Sequence, residues 1–374
     1  MKRFSIILLG ALAITMAGCS KDIKPSSPDP DAWMHDLSLP VPIQFGATSV
    51  QTKAGDISTA ADMVGKKFGF YAVSDKVVDL TADNNLSMPQ NLMATCEMVP
   101  NTDNKVVRFN LEGGPYYYPT TNTDNYTFYG YHAHVSGQGI ERASKDSLFL
   151  VVEVGSTDIM WGKASAEPVT DDGVTYEGFN ARYIRKTMKQ PTMNFRHLTS
   201  SVNFSAKIQQ SSFAEANPGN DIVTITRVAI NDVDTKAVLR LALGQNAVDS
   251  GVVREDWEGT LRLPSPRVTG VLESNVNVTL ASDVKSLGSF FIVPTETISV
   301  QIDYKVGDKP FSSTYELTPT VQNGDLAGQQ GFFKGYKYNY NFVVYTPERI
   351  SIEATVEPYV DAWDNTQDVY PSEE

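Results

Sequence analysis

The segment Tyr336-Lys337-Tyr338-Asn339-Tyr340-Asn341-Phe342 alternates aromatic with polar residues at every position. A period of two places the aromatic side chains on one face of an extended chain and the polar side chains on the other. Aromatic residues also favour strands, because their rings pack against cross-strand neighbours on a pleated surface. The segment is therefore predicted to be a core strand with one buried face.

Short strand patterns of this kind recur along the whole chain, while helical periodicity is scarce. Strands such as Tyr126–Val135 precede a polar, loop-like stretch from Lys163 to Gln190, and a second set of strands begins at Met193. The chain has 374 residues, which is too long for one hydrophobic core. The sequence therefore predicts an all-β protein made of two stacked β-sandwich domains, 41–192 and 193–374.

The first and last strand candidates share one pattern. Apolar residues alternate with polar or small ones in both, at Val41, Ile43, Phe45 and Ala47 in the first and at Ile350, Ile352, Ala354, Val356 and Val360 in the last. Both also contain proline, which cannot donate a ladder hydrogen bond. Pro40 and Pro42 therefore predict that the first strand lies at the edge of a sheet.

The chain begins with a secretory signal that ends in an unusual way. Lys2 and Arg3 precede an apolar run, and Met16-Ala17-Gly18-Cys19 resembles the lipobox of a bacterial lipoprotein. The prediction is a signal peptide over 1–18, lipidation at Cys19, and a polar, proline-rich tether over 19–40. Two or three acyl chains on one residue would make a lasting membrane anchor. The alternative is an ordinary signal or short transmembrane anchor in which Cys19 is incidental.

Charge and cysteine content narrow the function classes. The formal net charge is −13, and removal of Lys2 and Arg3 with the signal makes it −15. An acidic body is poorly suited to nucleic acid or anionic lipid, so no nucleic-acid partner is expected. If Cys19 carries lipid, Cys96 is left alone, and no intramolecular disulfide can form.

The sequence contains no convincing catalytic, metal-binding or phosphate-binding motif. His132 and His134 share a predicted strand face, but no further ligands accompany them at metal-binding spacing. His197 fits a structural histidine in a core strand. Trp161, Trp363 and Tyr116–Tyr118 could form a sugar-stacking platform, although core packing explains most of them equally well. We therefore predict no catalytic residues, no metal and no cofactor, and the protein is not expected to be an enzyme.

Several short motifs occur in a characteristic order: Met16–Cys19, Ile43–Phe45, Thr52–Ala54, Phe68–Tyr71, Tyr129–Tyr131, Asp158–Trp161, Phe195–Leu198, Gly335–Tyr338 and Trp363. In this order and spacing they resemble the fimbrillin-like lipoproteins of Bacteroidales, over nearly the whole mature chain. The resemblance implies two tandem transthyretin-like β-sandwich domains and a role as a type V pilus subunit, as stalk, anchor or tip.

The resemblance also implies an assembly mechanism. In that family a lipidated precursor reaches the outer membrane, and a trypsin-like protease cuts after a basic residue beyond the first strand. The matching bond here is Lys53-Ala54, where relatives typically carry Arg before the Ala. The freed groove then accepts a strand from another subunit, for which 350–362 is the candidate donor. The alternative is that this strand completes its own domain.

Two hypotheses follow for the function. The first is a structural and adhesive fimbrial subunit, displayed on the outer membrane through its lipid and then assembled with other fimbrial subunits by donor-strand exchange. The second is a monomeric surface lipoprotein that binds a glycan or another host ligand without polymerising. Tryptic treatment of the precursor separates the two.

Overall fold

The computed structural model describes residues 32–48, 60–75, 86–100, 106–120, 124–144, 147–171, 173–216, 222–244, 247, 251, 254–322, 326–346 and 349–358. The chain divides into two compact units, Met1–Leu39 and Pro40–Glu374. In the first unit a single helical turn is described, α1 (Ala32–His35). All of the described strands, numbered β1 to β21 along the chain, lie in the second unit.

Seven strands of the second unit close into a barrel in the order β1-β11-β8-β5-β2-β3-β4. Their bounds are β1 (Phe45–Thr48), β2 (Lys67–Ser74), β3 (Leu92–Met98), β4 (Val106–Leu111), β5 (Tyr126–His132), β8 (Met160–Ala164) and β11 (Thr192–His197). Closure leaves none of these strands as a free edge.

Phenylalanine rings fill the barrel interior. The ring centroid of Phe109 lies 5.1 Å from that of Phe68 and 4.9 Å from that of Phe70, and Phe195 packs against Phe68. Gly130 of β5 faces the same interior, where a Cβ atom would approach the Phe195 ring to 2.9 Å. A side chain at this position would therefore displace an aromatic ring.

A second sheet packs on the outside of the barrel in the order β15-β14-β7-β6. Its strands are β6 (His134–Ser144), β7 (Ser147–Glu153), β14 (Lys236–Leu243) and β15 (Thr260–Arg262). Tyr129 and Tyr131 point outward from β5 into the core between this sheet and the barrel, where they meet Leu150 and Leu239. Strand β5 is therefore buried on both faces, as its near-continuous apolar sequence predicts.

The remaining long strands form a sandwich of two four-stranded sheets, β17-β12-β20-β21 and β16-β13-β18-β19. Their bounds are β12 (Ser200–Ile208), β13 (Val223–Asp234), β16 (Thr269–Thr279), β17 (Lys285–Ile292), β18 (Ile298–Val306), β19 (Lys309–Leu317), β20 (Tyr336–Thr346) and β21 (Arg349–Pro358). The predicted aromatic ladder is the inner face of β20, and all four of its rings are buried.

The described helices that follow α1 are short. They are α2 (Ala60–Met63), α3 (Ala181–Thr187), α4 (Gln210–Ala216) and α5 (Arg254–Trp257). Helix α3 and the hairpin of β9 (Val169–Asp171) and β10 (Val174–Tyr176) occupy the stretch predicted to be a loop. The Asn180 side chain caps α3 by accepting a hydrogen bond from the Tyr183 backbone N–H at 2.8 Å.

The all-β prediction is confirmed, with sheets packed in sandwich-like layers. Strand pairing, however, crosses the predicted boundary near residue 192. Strands β11, β14 and β15 follow that residue, yet they pair with β8, β7 and β14 in the barrel and its outer sheet. The division into 41–192 and 193–374 stays a prediction, since pairing alone does not define folding units.

Candidate functional site

Strand β1 closes the barrel between β4 and β11. We use the word seam for residues 41–48 and for the position that they occupy beside β4 and β11. Phe45–Thr48 runs antiparallel to β4, with Phe45 opposite Phe109, and parallel to β11, with Gly46 opposite Thr192. The ladder of β1 is only four residues long. Without β1, the barrel would open between β4 and β11.

The apolar face predicted for the first strand points into the core. Val41, Ile43, Phe45 and Ala47 are between 0% and 3% exposed. The Phe45 ring stacks on Phe70 with centroids 4.6 Å apart and meets the edge of Phe128 at 4.9 Å. These side chains complete the aromatic interior of the barrel.

The prediction that this strand lies at a sheet edge is wrong, because β1 has a neighbour on each side. Pro42 precedes the ladder and faces Tyr117 in an isolated bridge, so its missing N–H disturbs no regular pairing. The neighbouring amides are hydrogen-bonded: Ile43 N–H, before the strand, donates to Tyr116 O at 2.8 Å, and Gly46 N–H, within it, donates to Pro191 O at 3.0 Å. Pro40 and Pro42 therefore precede the paired residues of β1 and do not indicate a strand at the edge of a sheet.

A cavity of about 550 Å³ lies along the seam. Ile43 and Phe45 line it together with β4 residues and Gln190. At its polar side, Glu97 accepts hydrogen bonds from Arg108 at 3.3 Å and from Asn110 at 3.2 Å. The cavity therefore has apolar lining from the first strand and polar lining from β3 and β4.

The C-terminal strand β21 lies at the edge of the second sandwich. It pairs antiparallel with β20, with Ile352 opposite Phe342 and Val356 opposite Tyr338. Ile350, Ile352 and Val356 are half-buried against the sandwich core, and Ala354 is exposed. The predicted apolar face therefore exists, but in this position it is only partly covered.

The profile of the fimbrillin-like family matches residues 64–359. This chain belongs to the fimbrillin-like family. The match begins beyond β1 and includes all of β21. Among curated proteins, no sequence match was found for the fimbrillin-like chain.

Solved structures with a similar fold share little sequence with the fimbrillin-like chain. A candidate cell adhesion protein from Bacteroides uniformis is 13% identical with a TM-score of 0.46, over 87% of this chain and 100% of that one. The fimbrial anchor protein Mfa2 from Porphyromonas gingivalis is 11% identical with a TM-score of 0.38, over 86% and 99%. The C-terminally truncated tip fimbrial protein Mfa3 from the same organism is 7% identical with a TM-score of 0.36, over 86% and 100%. The family assignment rests on the profile match.

Several predicted site residues of the fimbrillin-like chain cannot be placed by geometry. Cys19, Lys53, Ala54, Val360 and Trp363 lie outside the described residues. Lipidation and processing at these positions stay predictions. In the part of the chain that is described, no helix combines the length and apolar character needed to cross a membrane.

The histidines of the fimbrillin-like chain do not converge on one site. His132 Nδ1 lies 2.8 Å from the Lys67 carbonyl oxygen, and burial lowers its pKa. His134 lies on the next strand and pairs with Glu153 at 3.2 Å. His197 is buried and hydrogen-bonds to Asp158. Among the described residues, no group of three or more potential ligands could hold a metal.

Of the aromatic residues considered for sugar stacking, Trp161 and Tyr118 are core residues, and Tyr116 and Tyr117 are half-buried. Trp161 is 7% exposed and donates its indole N–H to Leu241 O at 2.9 Å. Tyr118 is buried, and the Tyr116 hydroxyl donates to Glu112 O at 2.8 Å. These contacts favour core packing over a stacking platform at this location.

Sequence reasoning missed a buried carboxylate that ties the barrel to the segment after β14. Glu258 accepts hydrogen bonds from the Tyr129 hydroxyl at 2.8 Å, the Leu243 N–H at 2.8 Å and Lys163 Nζ at 2.9 Å. Gly259 follows with a φ of +64°, and a Cβ there would approach Trp161 to 2.4 Å. No local pattern could reveal this cluster, because Tyr129 and Lys163 lie 129 and 95 residues away along the chain.

Proposed function

We propose that the chain is a lipidated fimbrial subunit that assembles by donor-strand exchange at the seam. Membership of the fimbrillin-like family supports a pilus or adhesion subunit and a structural, non-enzymatic role. Proteolysis between Lys53 and Ala54 would separate β1 from the rest of the barrel, and β21 of another subunit would take its place. The same family implies a cell-surface fimbrium as the final location.

One observation carries the proposal: β1, a four-residue strand that closes the barrel, precedes the Lys53-Ala54 bond in the chain. A cut at that bond would leave β1 attached to the body by non-covalent contacts alone. Its departure would expose unpaired backbone of β4 and β11 and the phenylalanine interior, which is costly in water. A new strand that pairs with the backbone of β4 and β11 and covers the phenylalanine interior would therefore bind strongly.

The difference in burial between β21 and the first strand favours transfer of β21 into the seam. Ile350, Ile352, Ala354 and Val356 follow the same period of two as the four seam residues Val41, Ile43, Phe45 and Ala47. The side chains of β21 are half-buried or exposed at their own edge, whereas the seam positions are at most 3% exposed. Each large apolar side chain that becomes fully buried contributes up to about 1.5–3 kcal/mol, so transfer into the seam gains burial.

The anchor proposal places the acyl chains of Cys19 on the same side of the Lys53-Ala54 bond as β1. The cut would then free the body from its lipid and make the seam available in one event. Before the cut, the subunit would be held at the outer membrane and displayed at the surface. Other fimbrial subunits are the partners that this mechanism requires.

A monomeric surface lipoprotein is the second candidate, and the position of β21 favours it. Strand β21 forms a ten-residue antiparallel ladder with β20 of the same chain. A subunit that keeps this pairing completes its own sandwich and does not donate β21 to another subunit. It could still bind a glycan or another host ligand at the cell surface.

Tryptic treatment of the purified precursor tests the two candidates. We expect wild type to lose the segment up to Lys53 and to form ladders that persist in mild denaturant. Lys53→Gln should keep β1 joined to the body and stay monomeric, because its seam remains occupied. Wild type that is cut after Lys53 yet stays monomeric under all conditions would exclude assembly for this subunit.

The anchor is tested separately with radioactive palmitate in the native bacterial host. Cys19→Ala should lose labelling and leave the membrane fraction, whereas Cys96→Ala should keep both properties. Cys96 is a suitable control because it is buried in the barrel and burial raises its pKa to about 12. Persistent labelling of Cys19→Ala would contradict the proposed anchor.

A further inference from the structure

Two arginines lie on aromatic rings at the outer face of the sheet β15-β14-β7-β6. The Arg240 guanidinium is 5.4 Å from the centroid of the Trp257 ring, and the Arg262 guanidinium is 5.1 Å from that of the Phe149 ring. The two rings lie 5.3 Å apart with their planes inclined at 43°. We call these four residues the arginine–aromatic cluster.

The sheet register brings the cluster together. Arg240 lies opposite Phe149 of β7 on one side and Thr260 of β15 on the other. Its neighbours Leu239 and Leu241 face the buried core, so Arg240 points to the outer face. Trp257 ends α5, and its carbonyl oxygen accepts a hydrogen bond from the Thr260 hydroxyl at 2.7 Å. Buried Glu258, next in the chain, fixes this corner further.

The cluster concentrates positive charge in a protein whose formal net charge is −13. Within the described part of the chain, no carboxylate contacts either guanidinium, and the Arg240 Nε atom is buried without a hydrogen-bond partner. Burial and the neighbouring Arg262 both lower the pKa of Arg240. Like charges held close together repel each other, and an anion between them would relieve that repulsion.

Both arginines are half-buried, and each guanidinium group holds several N–H donors in one plane. A planar fork of this kind matches a carboxylate with two parallel hydrogen bonds. The half-buried Phe149 and Trp257 rings add apolar surface beside the donors, as binding sites for ring-shaped ligands commonly do. The arginines can therefore bind a carboxylate, and the two aromatic rings offer apolar surface to the ring of the same ligand.

We propose that the arginine–aromatic cluster binds the carboxylate group of an acidic saccharide. The site belongs to a different sheet from β1 and β21, so it does not depend on assembly at the seam. It is also distinct from the aromatic residues first considered for sugar stacking, none of which belongs to the cluster.

Calorimetry on the uncut full-length chain tests this proposal with trigalacturonate as the probe. We expect saturable binding that weakens with salt, and much weaker binding of the fully methyl-esterified trisaccharide, which keeps the sugar rings and removes the charges. Arg262→Gln and Arg240→Gln should each reduce the affinity roughly tenfold or more, because each removes charge-assisted hydrogen bonds. Arg262→Lys should also bind less tightly, since it keeps the charge and loses the fork.

Arg349→Gln is the matched control, because Arg349 also lies on a ring, 5.2 Å from the centroid of Tyr345, but belongs to a different sheet from the cluster. Its affinity should equal that of wild type. Equal binding of the methyl ester, or unchanged affinity in Arg262→Gln, would overturn the proposal. Equal binding of inorganic phosphate or of a short glutamate peptide would overturn the saccharide assignment.

Discussion

Strands β1 and β21 have the same apolar alternation but opposite surroundings. Strand β1 has hydrogen-bonded neighbours on both sides, and its apolar side chains are at most 3% exposed. Strand β21 has one neighbour, and its apolar side chains are half-buried or exposed. The alternation of apolar residues therefore identifies which face of a strand is apolar. The position of the strand in its sheet determines how far that face is buried and how much it contributes to stability.

This difference bears directly on assembly. An edge strand can leave with the loss of one ladder, whereas a strand inside a closed barrel leaves two open edges. Strand β21 is thus the easier of the two to release. Strand β1 is the harder to release, which explains why the proposed mechanism needs a protease before the seam can open.

The largest change in the free energy of unfolding is expected for a substitution in the seam. Phe45→Asp should lower the free energy of unfolding of the precursor by at least about 4 kcal/mol, since it replaces a stacked ring with a buried charge. Urea unfolding followed by fluorescence measures the change. Gln44→Asp, at the exposed neighbouring position, should change stability by less than about 0.5 kcal/mol. Equal effects of the two variants would contradict the burial of this face.

A smaller effect is expected at the link between the barrel and the second sandwich. Buried Asp158 hydrogen-bonds to His197 at the end of β11, and it accepts a hydrogen bond from Thr199 at 2.7 Å, just before β12. Burial alone would raise the pKa of Asp158, but His197 and Thr199 hold it below its ordinary value of 3.8. The carboxylate should therefore stabilise the fold above pH of about 4 and lose this contribution as the pH falls further.

Asp158→Asn tests this link. It should lower the free energy of unfolding at neutral pH by about 3 kcal/mol, because one partner of a buried pair is lost. Urea unfolding across the acid range should also be less steep in pH for the variant than for wild type. An identical pH dependence in both proteins would show that another carboxylate is responsible.

The smallest effect on the monomer is expected at the C-terminal edge. Ile352→Asp should lower the free energy of unfolding by only about 1–2 kcal/mol, because the side chain is half-buried. Its effect on assembly should be complete, since the donated strand would carry a charge into the seam. Ladders after tryptic cleavage measure this, with Thr355→Asp, on the exposed face of the same strand, as the variant that still assembles. Ladders from Ile352→Asp would remove β21 from the mechanism.

Local periodicity was sufficient for much of the fold. The ladder Tyr336–Phe342 and the apolar faces of β1 and β21 follow from alternation alone, because a strand turns successive side chains to opposite faces. Helix α3 could also have been predicted: Asn180 is a good N-cap, and Arg185 and Lys186 suit a helix C-terminus.

Barrel closure could not be predicted in this way. Whether β1 has one neighbour or two depends on where β11 lies, about 145 residues further along the chain. The same limit applies to Glu258 and to the arginine–aromatic cluster, whose members come from β7, β14, β15 and α5. Local sequence contains the residue types of such sites but not the register that brings them together.

The exchange of the two strands can be measured directly on the trypsin-cut chain. A synthetic peptide of residues 349–362 is added, and the fragment that ends at Lys53 is followed by size exclusion and mass spectrometry. We expect the peptide to bind one to one and to displace this fragment, while the same peptide with Ile352→Asp should not. Retention of the fragment under saturating peptide would show that β21 does not replace β1 in the seam.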